Sequence, residues 1–193
     1  MIPTKQEIIY RVIGALYLAR FNPRGVQYFE ESPAAALRSF FAAAIVAPAF
    51  AIVVLLSVGD LQAEDPVPIF AVFLLQYVLI WTVYPVIAYR ICESIGREKA
   101  FFRYLAADNW TSVVGHHLQL AAVVLVAGGM LPEGLDTLLN LALRAYLLGL
   151  SWYIARNCLD ISTPAAVGFV VLQLFIWIAL NLVVGSILYP AAG

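Results

Sequence analysis

The sequence predicts an all-α fold: a polytopic membrane helix bundle of five transmembrane helices, preceded by an interfacial amphipathic helix. Three observations carry this. First, hydrophobic residues make up 63% of the 193 residues and charged residues only 12%, whereas soluble domains hold roughly 45–50% and about 25%. A soluble core of this size cannot hide that excess, because such a fold buries only about 70% of its chain surface. Second, five apolar stretches follow one another, each near the roughly 20 residues that cross about 30 Å of hydrocarbon. Third, lysines and arginines segregate to alternate connections.

The first element is an amphipathic helix near the amino terminus. Thr4 and Glu7 fit a capping box, in which the two side chains satisfy each other's orphan N–H groups. Ile8, Ile9, Val12, Ile13 and Leu16 recur at helical spacing, with Lys5, Arg11 and Arg20 among them. That pattern suits a helix lying in the bilayer interface; packing of its apolar stripe against the other helices is the alternative. Asn22-Pro23 and Gly25 mark an irregular connector. Ser32-Pro33 then offers an N-cap and a proline at the first helical position. Residues 1–31 thus read as a cytoplasmic amphipathic helix and connector, and 32–193 as the transmembrane domain.

The predicted spans are Ser39–Val58, Val67–Tyr89, Trp110–Leu131, Thr137–Ala155 and Pro164–Tyr189. Helices are chosen over strands because lipid cannot satisfy open backbone edges. The connections at 59–66, 132–134 and 157–163 are short and force antiparallel neighbours. Residues 90–109 form a longer loop, with room for a small amphipathic helix around Ala100–Leu105. A four-span topology, with the fourth stretch demoted because of Arg144, is the alternative. A mid-span Arg costs about 2.5–3.5 kcal/mol, which the surrounding leucines offset in part.

Placing the amino terminus in the cytoplasm puts Lys5, Arg11, Arg20, Arg24, Arg38, Arg90, Arg97, Lys99, Arg103 and Arg156 inside. The outer loops then hold Asp60, Glu64, Asp65, Glu133 and Asp136. This separation obeys the positive-inside rule and leaves the carboxyl terminus outside, as in a bacterial inner-membrane protein. The first span would serve as its own insertion signal, since the apolar run starts too late for a cleavable one. Cys92 and Cys158 both fall inside, where thiols stay reduced.

Polar residues within spans are the candidate site. Asp136, Asn140, Arg144 and Ser151 occupy a strip about 80° wide on the fourth span. Asn109, Ser112, His116 and Gln119 share a face of the third. Axial rise brings Arg144 near the level of Gln119 and His116, which predicts a buried hydrogen-bond network between these spans. Gln173 and Asn181 of the fifth add interhelical hydrogen-bonding groups. His116 and His117 diverge by about 100° on a helix, so no metal site is expected. Pro48 and Pro85 interrupt two spans. The alanines between 42 and 51 permit close packing, within the chain or with a second copy. No nucleophile set, phosphate loop or other enzyme motif is present, and no cofactor is expected. A net charge of −1 without a clustered basic face gives no reason to expect nucleic acid.

Phe101-Phe102-Arg103-Tyr104-Leu105 with Asp108-Asn109-Trp110, and Arg20-Phe21-Asn22-Pro23-Arg24-Gly25 before the first span, resemble stretches of the Yip1-like membrane proteins of bacterial type. That resemblance implies five spans after a short amino-terminal segment and no catalytic residue. The longer amino-terminal region of eukaryotic members is missing here, so GTPase binding does not carry over. The resulting expectation is a non-enzymatic membrane protein that organises lipids or partner proteins through its cytoplasmic face. Lys5, Arg11, Arg20, Arg24, Arg97, Lys99 and Arg103 would make the contacts, each worth about 1 kcal/mol to anionic lipid. The partners open to it are membrane lipids, another membrane protein or a second copy of the chain. The alternative is a small transporter or channel, with the polar residues of the third and fourth spans lining its path. A water-filled cavity reaching Arg144 would favour the transporter; a dry bundle would favour the organiser.

Overall fold

The computed structural model describes residues 2–58, 67–132 and 134–188. The predicted connection at 59–66, Glu133 and the last residue of the fifth span lie outside them. Seven α-helices and a 3-10 turn (Pro23–Tyr28) are present among the described residues. The helices are α1 (Lys5–Ala19), α2 (Pro33–Ser39), α3 (Phe41–Val58), α4 (Val67–Ser94), α5 (Glu98–Ala127), α6 (Leu135–Leu159) and α7 (Thr163–Leu188). Five helical stretches, with α2 and α3 forming one, are long and apolar enough to cross a membrane.

The long loop predicted at 90–109 is not there. α4 continues to Ser94 and α5 begins at Glu98, so the charged stretch is helix, continuous with the third span. No Gly or Pro stands between Glu98 and Trp110 to break it; charge alone does not end a helix. Gly96, with φ +68°, makes the reversal. Its N–H reaches Glu93 O and that of Arg97 reaches Cys92 O at 2.7 Å, a Schellman closure that satisfies two terminal carbonyls. The 30 residues of α5 extend about 45 Å, well beyond a hydrocarbon layer of about 30 Å.

The capping box also forms only in half. Thr4 Oγ1 accepts from Glu7 N at 3.2 Å, but the Glu7 carboxylate turns away to Arg38 Nε at 2.9 and 3.1 Å. α1 buries Arg11, Gly14, Ala15 and Leu18. The apolar stripe read from the sequence is split: Ile8 and Val12 pack half-buried against the core, whereas Ile9, Ile13 and Leu16 are exposed. Small residues explain the choice. At Gly25 a Cβ would sit 2.7 Å from the Leu18 side chain and 2.8 Å from Gly14 O, so only glycine lets the 3-10 turn approach α1 this closely.

Within the bundle, α3 packs on α5, α5 on α6, α6 on α7 and α7 on α4. The register of α5 against α6 is set at two heights. Arg103 Nε and Nη2 donate to Cys158 O at 3.0 and 2.7 Å, and Gly115 lies against the Leu147 side chain. The end of the bundle that carries the α4–α5 and α6–α7 connections is called here the basic end. The buried side chains concentrate there, among them Ala88, Cys92, Phe101, Tyr104, Ala107, Trp110, Ile154, Cys158 and Phe169. Both cysteines are free thiols.

Candidate functional site: a polar cavity within the bundle

A cavity of about 660 Å³ lies between α3, α4, α5, α6 and α7. Its floor, toward the basic end, is Tyr84 of α4, whose hydroxyl hydrogen-bonds that of Tyr104. Tyr104 in turn meets Phe169 edge-on at 5.9 Å. From Asp108 and Ile154 the cavity runs toward the far end as far as Asn140 and Asn181. The distance from Ile154 to Asn140 along α6 is about 21 Å.

All of Asn109, Ser112, His116, Gln119, Asn140, Arg144, Gln173 and Asn181 line this one space. Helical periodicity brings them together: each set occupies one face of its helix, and antiparallel packing aims the faces inward. Asp136, on the edge of the α6 strip, is not among the lining residues.

The predicted hydrogen bonds between the third and fourth spans are not formed. The polar groups close onto their own helices instead. Ser112 Oγ donates to Asn109 O at 2.7 Å, and His116 Nδ1 to Ser112 O at 2.8 Å. Asn140 Nδ2 donates to Asp136 O at 2.9 Å, and Asn181 Nδ2 to Trp177 O at 2.7 Å. A side chain one turn from a helical carbonyl reaches it without any partner helix, whereas a bond across the cavity must bridge its width. His117 likewise bonds Val113 O and is exposed, so the two imidazoles diverge. Among these predicted residues, Asn109 does bond across helices, its Nδ2 donating to Ser39 Oγ at 2.9 Å, α5 to α2.

Several lining groups bond to nothing else among the described residues. Thr111 Oγ1 is buried without a partner. The side chains of Gln76, Asp108, Gln119 and Gln173 form no hydrogen bond with another described residue, and all four line the cavity. Arg144 forms no ion pair; its guanidinium lies 5.6 Å from the centre of the Trp177 ring. Sequence reasoning passed over Gln76, Asp108, Thr111 and Trp177. Gln76 was the one amide in the second span, and Asp108 the one acid within a turn of the amino-terminal end of the third; both were visible signals.

The basic residues fare differently. Arg11, expected to face lipid or a partner, is 4% exposed and bonds Tyr28 O and Glu30 Oε1. Arg103 is held by Cys158 O and Glu31. Burying a guanidinium requires such partners, and the acids of the connector supply them. Arg97 pairs with Asp160 at 3.6 Å. Lys5, Arg20, Arg24 and Lys99 are exposed.

Comparison with known proteins finds no matching family model, no matching curated protein and no matching solved structure.

Proposed function

We propose that this chain is a multi-pass membrane protein that binds a ligand within its helix bundle and passes it along the cavity, as a small transporter does. The observation that carries the reading is the cavity itself, reaching Arg144 and lined by unpaired polar groups. In hydrocarbon each unsatisfied polar group costs several kcal/mol. A set of them around one space of this volume is supported by water or a bound molecule. Such a space supports the transporter reading over a dry organising scaffold.

Orientation belongs to the same proposal. The clustering of Lys and Arg at the basic end supports a cytoplasmic amino terminus, with the cavity rising from the inner half of a plasma membrane toward the outside. The organiser reading keeps one observation of its own. The exposed face of α1, with Ile9, Ile13 and Leu16 beside Lys5 and Arg20, has the character of a helix seated in a lipid interface.

Thiol labelling tests the cavity. Gln119→Cys and Ser112→Cys, in cells and in inverted vesicles, should react with a membrane-impermeant reagent. Phe175→Cys, on the exposed apolar face of α7, should not. If both cavity thiols stay as unreactive as Phe175→Cys, the space is closed to water and the transport reading fails.

A further inference from the structure

Arg144 is a full charge placed mid-span with no carboxylate among the described residues to meet it. The nearest acid on its own helix, Asp136, lies eight residues away, about 12 Å along the axis. Asp136 also stands outside the cavity lining. The register defined by Arg103–Cys158 and Gly115–Leu147 puts Asp108 level with Ile154, about 15 Å from Arg144. At the height of Arg144 the register brings residues 117–118 of α5 opposite, and the lining side chains on either side of them, His116 and Gln119, carry no negative charge. The Trp177 indole covers one face of the guanidinium at 5.6 Å. A cation on an aromatic face keeps its edge N–H donors, which are shaped for a carboxylate or phosphate.

The α3 side of the wall is apolar, made of Ala49, Phe50, Val53 and Val54. Among the described residues α3 leans on α5 and α4 on α7, and α3 and α4 barely pack on each other. They touch through the Tyr77 hydroxyl, which donates to Ala43 O, and through Phe50 against Tyr77 at 4.7 Å. Beyond Phe50, Val54 and Phe73 line the seam.

Resting on the ligand-binding reading above, we propose that the cavity takes an amphipathic anion. Its carboxylate or phosphate head sits on Arg144 and its apolar body lies toward the α3–α4 seam. A charge in a low-dielectric site recruits its counter-charge strongly, and here none of the described residues provides one.

The test uses the full chain in phosphatidylcholine nanodiscs, with Trp81 and Trp177 in the cavity wall as fluorescent reporters. Dibrominated palmitate, in alkaline buffer that ionises it, should quench saturably. The equally long brominated alcohol should bind at least about tenfold more weakly. Arg144→Gln should abolish that preference, Arg144→Lys should restore part of it, and Arg90→Gln, an exposed pair with Glu93, should not alter it. Acetate and inorganic phosphate, added as competitors, separate the sources of the head group. Failure of both to displace palmitate at millimolar concentration supports a ligand drawn from the bilayer. Displacement by either at that concentration supports the oxyanion seat but overturns the apolar body. Equal binding of acid and alcohol by the unaltered chain overturns anion recognition and leaves the cavity reading standing, a result that needs no variant to fold. Saturable quenching by neither probe overturns the inference, and thiol labelling then decides whether the cavity falls with it.

Discussion

The two ends of this bundle are built from the same helices yet solve different problems. At the basic end, α4, α5, α6 and α7 meet through Ala88, Ala107, Ala155 and Ala166, small residues that bring backbones close. Tyr104 and Trp110 fill what space remains. The buried and half-buried arginines there have partners: Arg11 with Glu30, Arg38 with Glu7, Arg103 with Glu31 and Cys158 O. From Asp108 toward the far end the helices separate around the cavity, and Gln76, Thr111, Gln119 and Arg144 stand without such partners. A dense, satisfied region is organised for stability; an open, unsatisfied one is organised to receive something. The difference teaches where to look for each property.

Mutations that break the comparison rank accordingly. Trp110→Ala, at a site 2% exposed, should cost about 3–5 kcal/mol in a reversible unfolding assay in bicelles. A cost below about 1 kcal/mol would mean the basic end is not the stabilising region. Arg11→Met should lose about 3 kcal/mol, because it strands the buried carbonyl of Tyr28 and frees Glu30. Its signature would be faster proteolysis within residues 20–31. Arg38→Gln breaks a half-exposed pair and should cost about 1 kcal/mol or less, declining further in salt. Arg144→Leu should have the smallest effect on folding, neutral or mildly stabilising, since it removes an unpaired intramembrane charge. A loss as large as that of Trp110→Ala would show the guanidinium to be structural and would erase the contrast between the two ends.

How far the sequence led is clearest at particular residues. The faces were legible: Ser112, His116 and Gln119 fall one helical turn or less apart in angle, and Arg144 and Asn140 likewise. Their contents were legible as well. What they do to each other was not. Spacing shows that two faces look inward, but whether they touch or stand apart depends on the side chains elsewhere that hold the helices at a given distance. Here the alanines at the basic end draw the helices together, and the residues beyond them do not. The same limit explains Arg11. Its place on α1 was plain, but Glu30 and the Tyr28 carbonyl that bury it come from a connector whose path the sequence left open.

By itself, then, the sequence determined the solvent and the period: an apolar excess that water cannot accommodate, and helices because lipid offers the backbone no hydrogen bonds. Tertiary structure decided which face of α1 is buried, the fusion of residues 98–109 into the third span, and the opening of a cavity where a hydrogen-bond network was expected. The physical reason is range. Hydropathy and helical period are summed over neighbours in the chain, whereas the gap between two helices is fixed by contacts tens of residues apart, such as Arg103 with Cys158.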